Sequence, residues 1–140
     1  MSRFVLDCSV TMAWCFEDES DDYAAGVLRA LTTGTAVVPP LWVLEVANVL
    51  LIAERRRRIS ADASARFLEL LQELPLTVAE PDSVTELGEL LRLGRAHRLS
   101  AYDVAYLRVA RRGRLALATR DASVRAAARS AGIGIFAPGS

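Results

Sequence analysis

Near its start the chain reads Arg3-Phe4-Val5-Leu6-Asp7-Cys8-Ser9-Val10. Apolar residues at consecutive positions, bounded by an acid, read as a strand buried on both faces over Arg3 to Asp7. A helix over Ser9 to Cys15 follows at once, so Asp7 falls where a buried strand hands over to a helix.

The alternation continues outward from that junction. Helical patterns cover Asp21 to Leu31 (closed by Gly34), Leu41 to about Arg56, a segment opened by Ser60 with Phe67, Leu70, Leu71 and Leu74 in helical register, an amphipathic stretch from Asp82 with Val84, Leu87, Leu90 and Leu91, a stretch that begins at Ser100 and stops before Gly113, and Asp121 to Ser130. Between them lie strand-like runs at Ala36 to Val38, stopped by Pro39-Pro40, then Leu76 to Ala79, Leu115 to Ala118 and Ile133 to Phe136. Strands alternating with helices predict an α/β fold: a central, mostly parallel, five-stranded sheet with helices on both faces. With no linker, repeat or low-complexity tract, residues 1–140 read as one domain.

Composition removes several chemistries. Apolar residues make up 52% and charged residues 24%, an ordinary globular balance. No apolar run approaches the ~20 residues of a membrane span, and too few residues precede Asp7 for a secretory signal, so a soluble, cytoplasmic protein is expected. All 17 basic residues are Arg. Without Lys there is no Walker-type phosphate loop and no Schiff-base chemistry. One histidine, His97, excludes two-His metal motifs and catalysis by paired imidazoles; it reads as a surface residue. Across a helix, Cys8 and Cys15 stand about 10 Å apart, too far for a disulfide, and read as two buried thiols.

Formal net charge is zero, yet the two ends differ. Residues 1–54 carry two Arg against eight acids, and residues 92–140 carry ten Arg against two. A basic half in a neutral chain is compatible with a phosphate-bearing partner, and equally with solvated helix faces.

Four acids remain as candidates. In Leu41-Trp-Val-Leu-Glu45-Val-Ala-Asn48-Val-Leu-Leu-Ile-Ala53 the helix is apolar on every side, hence buried, and only Glu45 and Asn48 interrupt it, on one face. A buried, unpaired carboxylate costs several kcal/mol unless something neutralises it. Asp7 has an ordinary alternative as a helix N-cap, Asp103 as the far half of a Ser100-x-x-Asp103 capping box, and Asp121 as another cap. Jointly, however, they stand just past strand ends or in the early turns of helices entered from the sheet. In an open α/β sheet those positions converge on the crevice beyond the strands. Carboxylates gathered there repel unless a cation lies between them, and an all-oxygen set suits Mg²⁺ or Mn²⁺.

The segments Phe4-Val-Leu-Asp7-Cys-Ser9-Val, Glu45-Val-Ala-Asn48-Val-Leu, Ser100-Ala-Tyr-Asp103-Val-Ala-Tyr and Ala118-Thr119-Arg-Asp121 resemble, in order and spacing, the four motifs of PIN-domain ribonucleases. Within these the chain is most similar to the VapC toxins of bacterial toxin–antitoxin pairs. The resemblance implies a PIN-like fold and a metal-dependent endoribonuclease with Asp7, Glu45, Asp103 and Asp121 around Mg²⁺ or Mn²⁺. It implies Ser9, Asn48 and Thr119 as polar supporters, RNA as substrate, a small VapB-like antitoxin as partner, and a homodimer.

Arginines near the acids are candidates for holding RNA, Arg120 beside Asp121 first and Arg112 second, each with pairing to a carboxylate as the plain alternative. Arg55 to Arg58 suit the negative end of a helix. Tyr102 and Tyr106, spaced i, i+4, read as core residues, with base stacking as the alternative, and Trp14 and Trp42 as core or partner-interface residues. Two other functions stay open: a non-catalytic RNA- or partner-binding module of the same fold and, more remotely, a receiver-type phosphoacceptor domain, which would need a Lys.

Overall fold

A computed structural model describes residues 2–139. Its strands are β1 (Arg3–Leu6), β2 (Thr35–Val38), β3 (Leu76–Val78) and β4 (Ala116–Ala118). Its helices are α1 (Cys8–Cys15), α2 (Asp22–Ala30), α3 (Leu41–Arg55), α4 (Ala61–Glu73), α5 (Leu87–His97), α6 (Ala101–Gly113) and α7 (Ala122–Ser130).

The sheet is parallel throughout, in the order β3-β2-β1-β4, with Val5 paired to Val37 on one side and to Leu117 on the other. Phe4, Val5 and Leu6 of the central β1 are wholly inaccessible, as their unbroken apolar run requires. From β1 the chain winds outward through β2 and β3, then returns to add β4 on the opposite side of β1. The reversal lies between β1 and β4, so the ligand crevice of such a sheet belongs beyond the carboxyl ends of those two strands. Helix α6 packs on β1, β2 and β4, while α1 packs against α2 and α3.

The local stops and starts follow side-chain chemistry. Asp21, Ser60, Ser100 and Asp121 each accept the backbone N–H three residues on, at 2.7 to 3.2 Å, satisfying an orphan donor at a helix start. Gly34 closes the turn after α2, where a Cβ would lie 2.5 Å from the Ser2 carbonyl oxygen. Arg98 and Arg114 end α5 and α6 in the left-handed region, with φ of 54° and 52°. Both cysteines are free, Cys8 buried and Cys15 half-buried.

Four expectations need correction. The sheet has four strands, not five: Ile135 makes one parallel bridge to Leu117. Leu117 N–H donates to the Gly134 carbonyl (2.8 Å) and Phe136 N–H to the Leu117 carbonyl (2.9 Å), but Leu115 N–H is drawn back to Ala110 (2.9 Å) and Pro138 has no N–H, so the ladder extends no further. Phe136 instead stacks on Phe4, with centroids 4.0 Å apart, and its carbonyl accepts the Tyr23 hydroxyl at 2.8 Å. The segment from Asp82 begins as a 3₁₀ turn over Val84–Glu86, because Ser83 and Glu86 form the capping box there, and α5 starts only at Leu87. Helix α3 is not buried all round. It seats Trp42, Val46, Leu50 and Ala53, and leaves Leu44 73% and Val43 50% exposed. Of the two tyrosines read as core, Tyr106 is buried, whereas Tyr102 is 66% exposed. Among the described residues no helix is long and apolar enough to cross a membrane.

Candidate metal centre

Asp7 occupies the N-cap position of α1, but its side chain does not cap. The carboxylate, 6% exposed, turns toward β4. Its Oδ2 accepts the hydroxyls of Ser9 at 2.9 Å and of Thr119 at 2.6 Å. Each hydroxyl is itself fixed from behind. Ser9 Oγ accepts the Arg120 N–H at 3.1 Å, and Thr119 Oγ1 accepts the Asp121 N–H at 3.1 Å. A hydroxyl that accepts a backbone N–H has its own hydrogen to give, so both point it at Oδ2. The network ties the ends of β1 and β4 together and leaves Oδ1 for another partner.

Glu45, half-buried one turn into α3, accepts the Tyr106 hydroxyl through Oε1. Asp103, half-buried in the first turn of α6, has its backbone N–H held by Ser100 Oγ. Its carboxylate makes no return bond, so the capping box is only half formed. Asp121 is exposed and does cap: its Oδ1 accepts the Val124 N–H at 3.0 Å.

Electrostatics links these groups. Burial pushes Asp7 above the usual carboxylate range, and the charge of Asp121 adds to it against the hydrogen bonds of Thr119 and Ser9. Burial also raises Glu45, with the charges of Asp7 and Asp103 adding and the Tyr106 hydrogen bond opposing. Asp103 is raised by burial, then by Asp7 and Asp121. The Cys8 thiol, under the same field, is pushed up to about 12, chiefly by burial. Asp7 thus raises Glu45 and Asp103, and Asp121 raises Asp7 and Asp103.

Among the described residues no three His, Cys, Asp or Glu side chains are drawn together tightly enough to hold an ion as they stand. The donor chemistry nevertheless fits a hard divalent cation: carboxylate oxygens only, partly desolvated, each raising its neighbours' proton affinity. The thiols take no part.

The remaining predicted residues divide. Ser9 and Thr119 support Asp7 directly, whereas Asn48 is exposed and makes no side-chain hydrogen bond. Arg120 lies beside the acids, with Nε on Asp21 Oδ2 at 2.8 Å. Arg112 is not brought to them: it sits nine residues beyond Asp103 on α6, about 13 Å along the axis, bound to Asp82 at 2.9 Å. Arg58, the last of the basic run, pairs with Asp18 and Glu19 and covers the Phe16 ring. Sequence reasoning missed two residues. Tyr106, assigned to the core, holds Glu45; its spacing of three from Asp103 was the available signal. Arg125, one turn beyond Asp121, reaches back with Nε to the Thr119 carbonyl at 2.7 Å.

Comparison with known proteins agrees with this topology. No curated protein sequence matches the chain. A crystal structure of PAE2754 from Pyrobaculum aerophilum superposes with a TM-score of 0.67 at 24% identity, over 90% of this chain and 86% of the other, a likeness of fold. The PIN domain model matches residues 4–130, from the first residues of β1 to the end of α7. By that match the chain belongs to the PIN-domain family, whose members generally act as metal-dependent nucleases.

Proposed function

We propose that the protein is a Mg²⁺- or Mn²⁺-dependent endoribonuclease, with Asp7, Glu45, Asp103 and Asp121 as its metal-binding and catalytic carboxylates. The observation that carries this reading is the set of hydroxyl-held and partly buried acids beside the β1–β4 crevice, where burial first and neighbouring acids second raise Asp7, Glu45 and Asp103. A cation joining such acids relieves their repulsion.

A bound divalent ion supplies a more acidic water and offsets charge on the phosphoryl oxygens. The chain's own residues prepare for it. Asp7, oriented by the Ser9 and Thr119 hydroxyls on Oδ2, would be one of the carboxylates that hold the ion. Tyr106 sets the orientation of Glu45. Asp121 keeps Oδ2 for the site while Oδ1 caps α7. Tyr102, exposed one residue before Asp103, offers a face on which a base stacks.

The toxin role, with a small VapB-like antitoxin and a homodimer, draws on the uncovered face of α3. Val43 and Leu51, with Leu68 of α4, border an apolar groove of about 540 Å³. Ser64 Oγ is buried against this groove without a partner. Such a surface suits the apolar side of a helix from a short partner. Co-purification of that partner, and loss of binding in Leu51→Glu, test this part.

The activity is tested by incubating purified protein with structured RNA, with and without Mg²⁺ or Mn²⁺, and repeating with Asp7→Asn and Asp103→Asn. Cleavage that requires the metal and both acids is expected. Cleavage surviving chelation or both substitutions rejects the reading, and RNA binding without cleavage makes the chain a non-catalytic module.

A further inference from the structure

Of the 17 arginines, only Arg108, Arg120 and Arg125 are partly buried. A desolvated guanidinium needs an anion. Arg108 has Asp82 and Glu86, and Arg120 has Asp21. Among the described residues Arg125 has no carboxylate: Nε donates to the Thr119 carbonyl, and the guanidinium lies over the Tyr23 ring, 4.6 Å from its centroid, and bonds its hydroxyl. These contacts fix its orientation and none neutralises its charge.

Arg125 lines an open cleft of about 600 Å³ with Ser9, Arg120 and Asp121. Its carbonyl partner belongs to the residue whose hydroxyl holds Asp7, so the guanidinium is registered to the acidic cluster through one residue. The other charges of the cleft are spent: Asp21 on Arg120 and the cap of α2, Asp121 partly on the cap of α7.

We infer that Arg125, assisted by Arg120, is a positioning residue that binds a phosphodiester of the RNA backbone flanking the one to be cut. This rests on the nuclease reading above and names where the strand enters. A guanidinium held at Nε presents its terminal nitrogens as donors to phosphate oxygens at little ordering cost. A phosphate contact positions the strand without reading its sequence.

The test uses a fluorescent single-stranded RNA of mixed sequence, bound by the whole protein in EDTA buffer over a series of salt concentrations. Arg125→Gln is expected to weaken binding about tenfold. It should also lower the slope of log affinity against log salt by about 0.7, the share of one single-strand phosphate. In Mg²⁺ it raises KM and leaves kcat nearly unchanged, and Mn²⁺ affinity by calorimetry stays at the wild-type value. Arg129→Gln, exposed on the same helix, changes none of these. Ala122→Glu, which adds a negative charge to the cleft wall at a helix start that tolerates it, weakens binding without touching the Arg125 contacts. That arm decides if Arg125→Gln fails to fold. Wild-type RNA affinity in Arg125→Gln or in Ala122→Glu, or an equal loss in Arg129→Gln, overturns the subsite. A wild-type protein that neither binds nor cleaves RNA overturns the nuclease reading itself, whereas one that cleaves, with both variants unaffected, overturns the subsite alone.

Discussion

Acids from distant parts of the chain act on one another in two places. Beside the ends of β1 and β4, Asp7 is held by hydroxyls, and Asp7, Glu45 and Asp103 are raised above the usual carboxylate range by burial and by neighbouring acids. Before α5, Asp82 and Glu86 face Arg108 and Arg112 from α6, and Glu86 is lowered, first by the Ser83 hydrogen bonds and then by the two arginines. The residue types are the same and the protonation tendencies opposite. Acids gathered to fasten an element arrive with their counter-charge; acids gathered without one await it from outside. The second cluster joins the α5 start to the sheet-packing helix, and the first does no fastening that hydroxyls could not do.

That contrast can be broken most severely at the first cluster. A divalent ion is worth several kcal/mol to the transition state, so Asp103→Asn or chelation should reduce RNA cleavage about 10³-fold. The same substitution should raise the melting temperature of the metal-free protein, because it removes repulsion. A fall there would place Asp103 with the fasteners. Arg108→Leu should do the reverse: cleavage persists while the melting temperature drops by about 10 °C, since Asp82 and Glu86 lose a guanidinium that is only 10% exposed. Thr119→Val sits between the two. It strips one hydroxyl from Asp7 and leaves the Asp121 N–H unpaired, costing about 1–3 kcal/mol of stability and about 10- to 100-fold in metal affinity.

The smallest effect, and the sharpest in sign, is with pH. Asp7, Glu45 and Asp103 hold protons more tightly folded than unfolded, so in metal-free protein their contribution is fully present below the ordinary values of 3.8 and 4.5. It is lost as pH rises through their raised folded values. Glu86, lowered from 4.5, contributes above that value and loses its contribution as pH falls through its folded value. Melting curves in EDTA should therefore show stability falling as pH rises above about 4.5, and Mg²⁺ should remove that fall.

Much of this was legible in the sequence because strand and acid are adjacent there. Phe4-Val-Leu-Asp7 states both a buried strand and the residue beyond its end, and Ala118-Thr-Arg-Asp121 does so again. The partners were less legible, since Tyr106 meets Glu45 across 61 positions. Arg125 lay in plain view, four residues past Asp121, but an arginine on an amphipathic helix looks solvated until its neighbours are known. Helix α3 misled for a related reason: composition reports that a face is apolar, not whether this chain covers it. The fifth strand failed on backbone grounds: Leu115 N–H turns back into the end of α6 and Pro138 has none to give, so a single bridge is left.

The bond from Thr119 to Asp7 spans 112 positions, and its length along the chain has a consequence for the order in which the protein comes into being. A polypeptide emerging from its N-terminus carries Asp7 through most of synthesis without the hydroxyl that aims it. Closing so long a loop comes late in folding. The carboxylate of Asp7 is thus aimed only once Thr119 has been made and β4 has docked.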